Sequence, residues 1–251
     1  MGMIVAIGLT KRFGGQPVLQ DLNLSVGQGE MLALCGGNGA GKSTTLACFL
    51  GFVAPDAGQA LIAGHDIQRD PQAAKAHVGY LPENVMLYGQ ASGIDNLRYF
   101  AELYGRQLDR SAASQLLGRM GLAPGAHDQA VRHYSKGMRQ KTGLAIAVAH
   151  DAGALFLDEP YSGLDPLAAS ELTDLLRQLK AEGRALLTVT HDLLHANRAA
   201  DRIGILGQGR LQTVLRGGTL ADAELEQVYL ETMRAGKGDS CDTLPSPAVT
   251  A

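Results

Sequence analysis

The run Gly36-Gly37-Asn38-Gly39-Ala40-Gly41-Lys42-Ser43 constrains this chain more than any other stretch. It fits G-x-x-x-x-G-K-[ST] and lies between an apolar segment, Met31 to Cys35, and a segment that reads as a helix from Gly41 to about Leu50. A strand, a glycine loop and a helix start, in that order, make a cradle for phosphate. The glycines let backbone N–H groups converge on the oxygens, and the helix terminus adds a favourable dipole. Lys42 then reaches the outer phosphates while the Ser43 hydroxyl can ligate Mg2+. Glycine makes up 32 of the 251 residues, well above the roughly 7% of an average chain, as expected where backbone must approach a ligand or turn tightly.

The stretches around this loop predict an α/β fold. Ile4 to Leu9, Val18 to Val26, Glu30 to Cys35 and Gln59 to Ala63 are β-rich or alternating, with glycine turns at Gly14-Gly15 and Gly27-Gln28-Gly29. From about Ser92 to His150 the apolar spacing becomes helical (Leu97, Phe100, Ala101, Leu103, Tyr104, then Leu116, Leu117 and Met120), which predicts an inserted helical lobe at about 90–150. Ala154 to Leu157 and Ala185 to Val189 have the length of buried parallel strands, and a helix from Leu167 to Ala181 between them implies a right-handed crossover. Ile203 to Leu206 and Arg210 to Leu215 read as a hairpin across Gly207-Gln208-Gly209, followed by a helix from Leu220 to Met233. Residues 1–235 thus read as one domain, and Gly236 to Ala251 as a disordered tail poor in apolar residues.

Charge and hydropathy narrow the function classes. A net charge of -3 without clustered Lys and Arg argues against a nucleic-acid partner gripped through a basic face. No run approaches the ~18 to 20 apolar residues of a membrane helix, so any membrane task falls to another chain. The start Met1-Gly2-Met3-Ile4 lacks the pattern of a secretory signal. Cys35, Cys48 and Cys241 are odd in number and lack metal spacing, which reads as buried thiols in a reducing compartment.

A phosphate cradle hydrolyses nothing by itself. Ala154-Leu155-Phe156-Leu157-Asp158-Glu159 places two carboxylates where a buried strand ends. Asp158 can hold the Mg2+ shell, and Glu159 can polarise an attacking water as general base. Between cradle and carboxylates, Tyr134-Ser135-Lys136-Gly137-Met138-Arg139-Gln140-Lys141 puts serine and glycine at a helix start, which is either a second anion site or an ordinary N-cap with a basic turn.

In order, the chain has the phosphate loop, a helical lobe, the serine-glycine stretch, Asp158-Glu159, Ser162-Gly163-Leu164-Asp165 and His191. This order resembles the nucleotide-binding subunit of ATP-binding-cassette (ABC) transporters, from about Met3 to Met233. The resemblance implies a phosphate-loop NTPase core with an antiparallel β lobe and an inserted helical subdomain. It also implies two copies sandwiching two ATP molecules head to tail, each phosphate loop facing the other copy's signature helix. Position by position, it implies that Gly36 to Gly41, Lys42, Ser43 and Thr44 bind phosphate and Mg2+. Asp158 holds the metal, Glu159 is the catalytic base, and His191 contacts the γ-phosphate. Ser135 and Gly137 reach the partner copy's ATP, Asp165 couples the two sites, and Phe13 stacks on adenine or else belongs to the core.

Three positions depart from the family's pattern. Glu83, after Gly79-Tyr80-Leu81-Pro82, stands where the family often has glutamine; it keeps an oxygen for Mg2+ and adds charge. Lys136 replaces the first glycine of the signature pair and Met138 its glutamine. The stretches Tyr80 to Asn84 and Ser135 to Gln140, with the ending Leu225 to Leu230, resemble the ABC-2 exporter branch and, within it, the ATPase of the copper-processing system that matures nitrous-oxide reductase. The expected function is ATP hydrolysis at the cytoplasmic face of the inner membrane, powering a separate integral membrane subunit docked near Glu83 to Gly93. The alternatives are a soluble ABC-type ATPase acting on ribosomes or DNA, and a regulator that binds ATP without turnover.

Overall fold

The computed structural model describes residues 2–238. In chain order the elements are β1 (Ile4–Phe13), β2 (Gln16–Val26), β3 (Met31–Cys35), α1 (Lys42–Phe49), β4 (Ala57–Ile62), β5 (His65–Asp66), α2 (Pro71–Lys75) and β6 (Val78–Leu81). These are followed by α3 (Gly93–Leu103), α4 (Arg110–Arg119), α5 (Lys136–Val148), β7 (Ala154–Asp158), α6 (Pro166–Ala181), β8 (Ala185–Thr190), α7 (Leu193–Ala199), β9 (Arg202–Gly207), β10 (Arg210–Arg216) and α8 (Asp222–Gly238).

The strands form two sheets. One is antiparallel, in the order β2-β1-β4-β5; the other runs β10-β9-β3-β8-β7-β6, parallel except for β10 at its edge. Side chains on successive strand residues face opposite ways, and in β3 this splits the interior in two. Met31, Ala33 and Cys35 join the core under the helical lobe, whereas Leu32 and Leu34 join the core shared with the antiparallel sheet. β7 repeats the division, with Leu155 and Leu157 on one side and Ala154 and Phe156 on the other. Each large apolar side chain so buried contributes roughly 1.5–3 kcal/mol.

The lobe after β6 is helical as expected. α3 opens on a capping box in which the Asp95 N–H donates to Ser92 Oγ at 3.1 Å and the Asp95 carboxylate takes the Ser92 N–H at 3.4 Å. α5 returns from this lobe to pack against β6.

Several expected boundaries move. β1 continues beyond Leu9 to Phe13, through register shifts in its pairing with β2, and β2 begins at Gln16 rather than Val18. β4 ends at Ile62, and Ala63 turns out of it at φ 51°. The hairpin turn is Gln208-Gly209 alone, because Gly207 still pairs with Arg210. α8 runs on past Met233, so Gly236 to Gly238 continue the helix rather than begin the tail; the rest of that tail, with Cys241, lies outside the described residues. Cys35 and Cys48 are free and buried, and burial pushes their thiols up to about 12 and about 11. Among the described residues no helix is long and apolar enough to cross a membrane.

Candidate active site

Ligands of open parallel sheets sit beyond the strands' C-terminal ends, and three strand ends meet here. Cys35 pairs with Thr190 and Asp158 with Val189, so the phosphate loop, the Asp158-Glu159 pair and His191 emerge along one edge. They line a cleft of about 400 Å3, together with Val18 and Glu83.

The loop's glycines are required where backbone passes close by. A Cβ on Gly36 would sit 2.4 Å from the Leu206 carbonyl oxygen. One on Gly41, at φ 107°, would meet Leu19 at 2.7 Å and the Val18 carbonyl oxygen at 2.8 Å. Gly41 is also the N-cap of α1 and offers no side chain, so the first amides of that helix have no cap of their own. The Lys42 amine donates to the carbonyls of Gly36 at 2.6 Å and Gly37 at 3.2 Å, folding over the loop it serves. Ala40 is held from behind, its carbonyl accepting the Gly209 N–H at 3.1 Å. Asn38, Gly39, Ser43 and Thr44 complete this wall.

Opposite stand the acids. Burial, followed by the charges of Glu159 and Glu83, raises the Asp158 carboxyl above its ordinary range; Lys42 and the nearby Tyr80 hydroxyl act the other way. Glu159 occupies a left-handed conformation at φ 43°, uncommon for such a side chain and concentrated in functional turns. That backbone is held by its N–H, which donates to the Val189 carbonyl at 2.9 Å. Its carboxylate accepts from Thr190 Oγ1 at 2.9 Å and the His191 N–H at 3.2 Å, while His191 Nδ1 lies 2.9 Å from the other oxygen. Glu159 and His191 are thus one constellation, with the imidazole itself largely exposed.

A divalent cation fits this donor set. Asp158 is a half-buried carboxyl with two acidic neighbours and the Ser43 hydroxyl on the same cleft. Among the described residues no group of three or more His, Cys, Asp or Glu residues could hold a metal ion unaided. A partial protein shell of Ser43, Asp158 and Glu83, completed by phosphate and water, is the way Mg2+ is commonly bound.

Other expected site residues lie elsewhere. Ser135 caps α5, its Oγ accepting the Met138 N–H at 3.2 Å, and Asp165 caps α6, accepting from Ala168 at 2.9 Å. Neither they nor Gly137 line the cleft of their own chain. Phe13 is about half exposed, so it is not core; Lys11 Nζ lies 5.3 Å from its ring centroid, and it too is absent from the cleft wall. Val18 and Thr190 escaped the sequence reading. The signal for Thr190 is a hydroxyl at the C-terminal end of a buried strand, directly before His191; Val18 reaches the cleft only through tertiary packing of β2.

The ABC transporter family pattern matches residues 19–162. The chain is 36% identical over 254 residues to the daunorubicin resistance ATP-binding protein DrrA3 of Streptomyces coeruleorubidus, a match covering 98% of this chain and 79% of that protein. It is 37% identical over 204 residues to the uncharacterized ABC transporter ATP-binding protein YhcH of Bacillus subtilis (strain 168), covering 81% of this chain but 66% of YhcH. A solved structure described as an ATP binding subunit of an ABC transporter superposes with a TM-score of 0.79 at 32% identity, over 92% of this chain and 99% of that one. With the phosphate loop and the paired acids at one sheet edge, these likenesses make the chain a member of the ABC transporter family, built as its ATP-binding cassette.

Proposed function

We propose that the chain is the ATP-hydrolysing subunit of an export transporter, working as a pair of cassettes beneath a separate membrane subunit. The observation that carries this reading is the Glu159–His191 constellation facing Lys42 and Ser43 across one cleft. The loop amides and Lys42 bind and orient the phosphates of ATP. Bound Mg2+, held by Ser43 and Asp158 with Glu83 beside them, would neutralise phosphate charge. Glu159 takes the proton of the attacking water, and Thr190 with the His191 amide keeps its carboxylate aimed into the cleft. His191, exposed at the rim, is placed to touch the terminal phosphate.

Pairing is supported by the separation of Ser135 and Gly137 from their own cleft, which leaves those groups available to a second copy's nucleotide. A shared γ-phosphate then draws two copies together, and its hydrolysis lets them part. The membrane subunit docks on the helical lobe near Glu83 to Gly93. There Met86 is 84% exposed, and Tyr88 packs against Tyr99 and Phe100 with ring centroids 5.0 and 6.1 Å away. The location is then the cytoplasmic face of the inner membrane.

For cargo, the match to a daunorubicin resistance protein across 98% of the chain favours drug export over the copper-processing role suggested by shorter stretches. Steady-state ATPase assays of wild type and Glu159→Gln test the catalytic part: turnover that Glu159→Gln does not reduce overturns it. Cysteine cross-linking from position 86 to a co-purified membrane chain tests the docking.

A further inference from the structure

Lys136 and Glu83 approach the same serine from two sides. Lys136 Nζ lies 3.5 Å from Ser162 Oγ, and the Ser162 hydroxyl donates to Glu83 Oε1 at 3.1 Å. A hydroxyl has one proton to give and lone pairs to accept with, so this serine accepts from the ammonium while donating to the carboxylate. Both links are charge-assisted, and each polarises the other. We propose that Lys136, acting through Ser162, is a positioning residue that holds the Glu83 carboxylate in the cleft, and that Lys136 and Glu83 are an electrostatically compensated pair.

Each charge is out of place without the other. Lys136 is the first residue of α5, whose opening turn contains no acid; a cation there opposes the helix dipole. Glu83 lines the same cleft as Asp158 and Glu159, and its charge helps to raise the Asp158 carboxyl. Repulsion from those acids pushes Glu83 outward, and the Ser162 bond with the lysine behind it opposes that push.

The surrounding packing leaves little slack. A Cβ on Gly163, at φ 64°, would stand 3.1 Å from Lys136 Nζ and 3.4 Å from its Cδ, so the lysine stem lies over the turn that leads to α6. The buried Gln140, one turn along α5, donates from Nε2 to the Glu83 carbonyl at 3.3 Å and fixes the backbone of the same residue. The loop after β6, the start of α5 and the 162–165 turn are therefore tied at one point.

The turnover arm of the test rests on the ATPase reading above; the stability arm does not. Wild type, Glu83→Gln, Lys136→Gln and the double variant are compared in ATP turnover and in thermal midpoint, with Ser162→Ala and Lys136→Arg alongside. Each single neutralisation is expected to lower kcat about threefold to tenfold with KM for ATP changed less than about twofold, and the double variant falls no further than the worse single. The same non-additivity is expected in the midpoints, is erased in the Ser162→Ala background, and Lys136→Arg keeps near wild-type turnover. Effects that multiply in kcat and add in the midpoints overturn the pair. Wild type without turnover overturns the ATPase reading, and the midpoint cycle then decides the pair by itself.

Discussion

The starts of α1 and α5 are both helix N-termini with glycine and a cation in the first residues, yet they are finished differently. α1 begins on Gly41 with no side-chain cap, whereas α5 begins on Ser135, whose hydroxyl already satisfies the Met138 N–H. α2, α3, α4, α6 and α7 are also capped by Asp or Ser side chains. A helix start left uncapped inside a cleft keeps all its first amides for a ligand, whereas a side-chain cap already takes one of the four. Under the pairing proposed above, the start of α1 serves the nucleotide of its own chain and the start of α5 that of the second copy.

The most severe break of this contrast is Lys42→Ala. It removes the cation of the uncapped terminus and should lower ATP turnover on the order of 10²–10³-fold, read by steady-state phosphate release. Unchanged turnover would place phosphate elsewhere. Gly41→Ala comes next, because the new methyl meets Leu19 and the Val18 carbonyl at a φ of 107°. Chemical denaturation should give a loss of roughly 1–3 kcal/mol, together with weakened nucleotide binding. Ser135→Ala strips the cap from α5 and should cost about 1 kcal/mol of stability. Its nucleotide affinity as a single copy should stay intact while its turnover falls, and a variant that instead lost single-copy binding would make the two termini parts of one site.

The smallest effect lies just beyond the other end of α5. His150 stacks on Tyr104 with centroids 4.1 Å apart, and its Nε2 lies 2.8 Å from the Val78 carbonyl. Burial first, then Arg106 and Arg184, lowers its pKa below 6.5. The unfolded chain therefore takes up the proton sooner. Stability is full above pH 6.5 and declines as pH falls from there towards the lowered native value. His150→Gln should flatten that part of the thermal midpoint profile; an unchanged slope would assign it to other groups.

Much of the site could be read from sequence because its parts are contiguous and follow strands of plain apolar character. Gly36 to Ser43, Asp158-Glu159 and His191 each come directly after such a run. Short elements were not readable in this way. β6 has four residues and α2 five, too few for a period to emerge. Phe13 could not be placed because its position depends on β1 running past Leu9 with irregular pairing. Ser162 stood inside a recognised stretch, but its link to Glu83 spans 79 positions of chain, a contact that only the tertiary fold creates.

The alternation of β3 also governs how the molecule comes apart. Two cores would ordinarily allow two melting units, one for each lobe. Here Leu32 and Leu34 back directly onto Met31, Ala33 and Cys35, and neither set can reach water while the strand remains paired. Losing one core uncovers the rear of the other, so the free energies of the lobes are linked at the backbone. Calorimetry should then record a single cooperative transition, with the phosphate loop, anchored on the same strand, lost in that step and not before it.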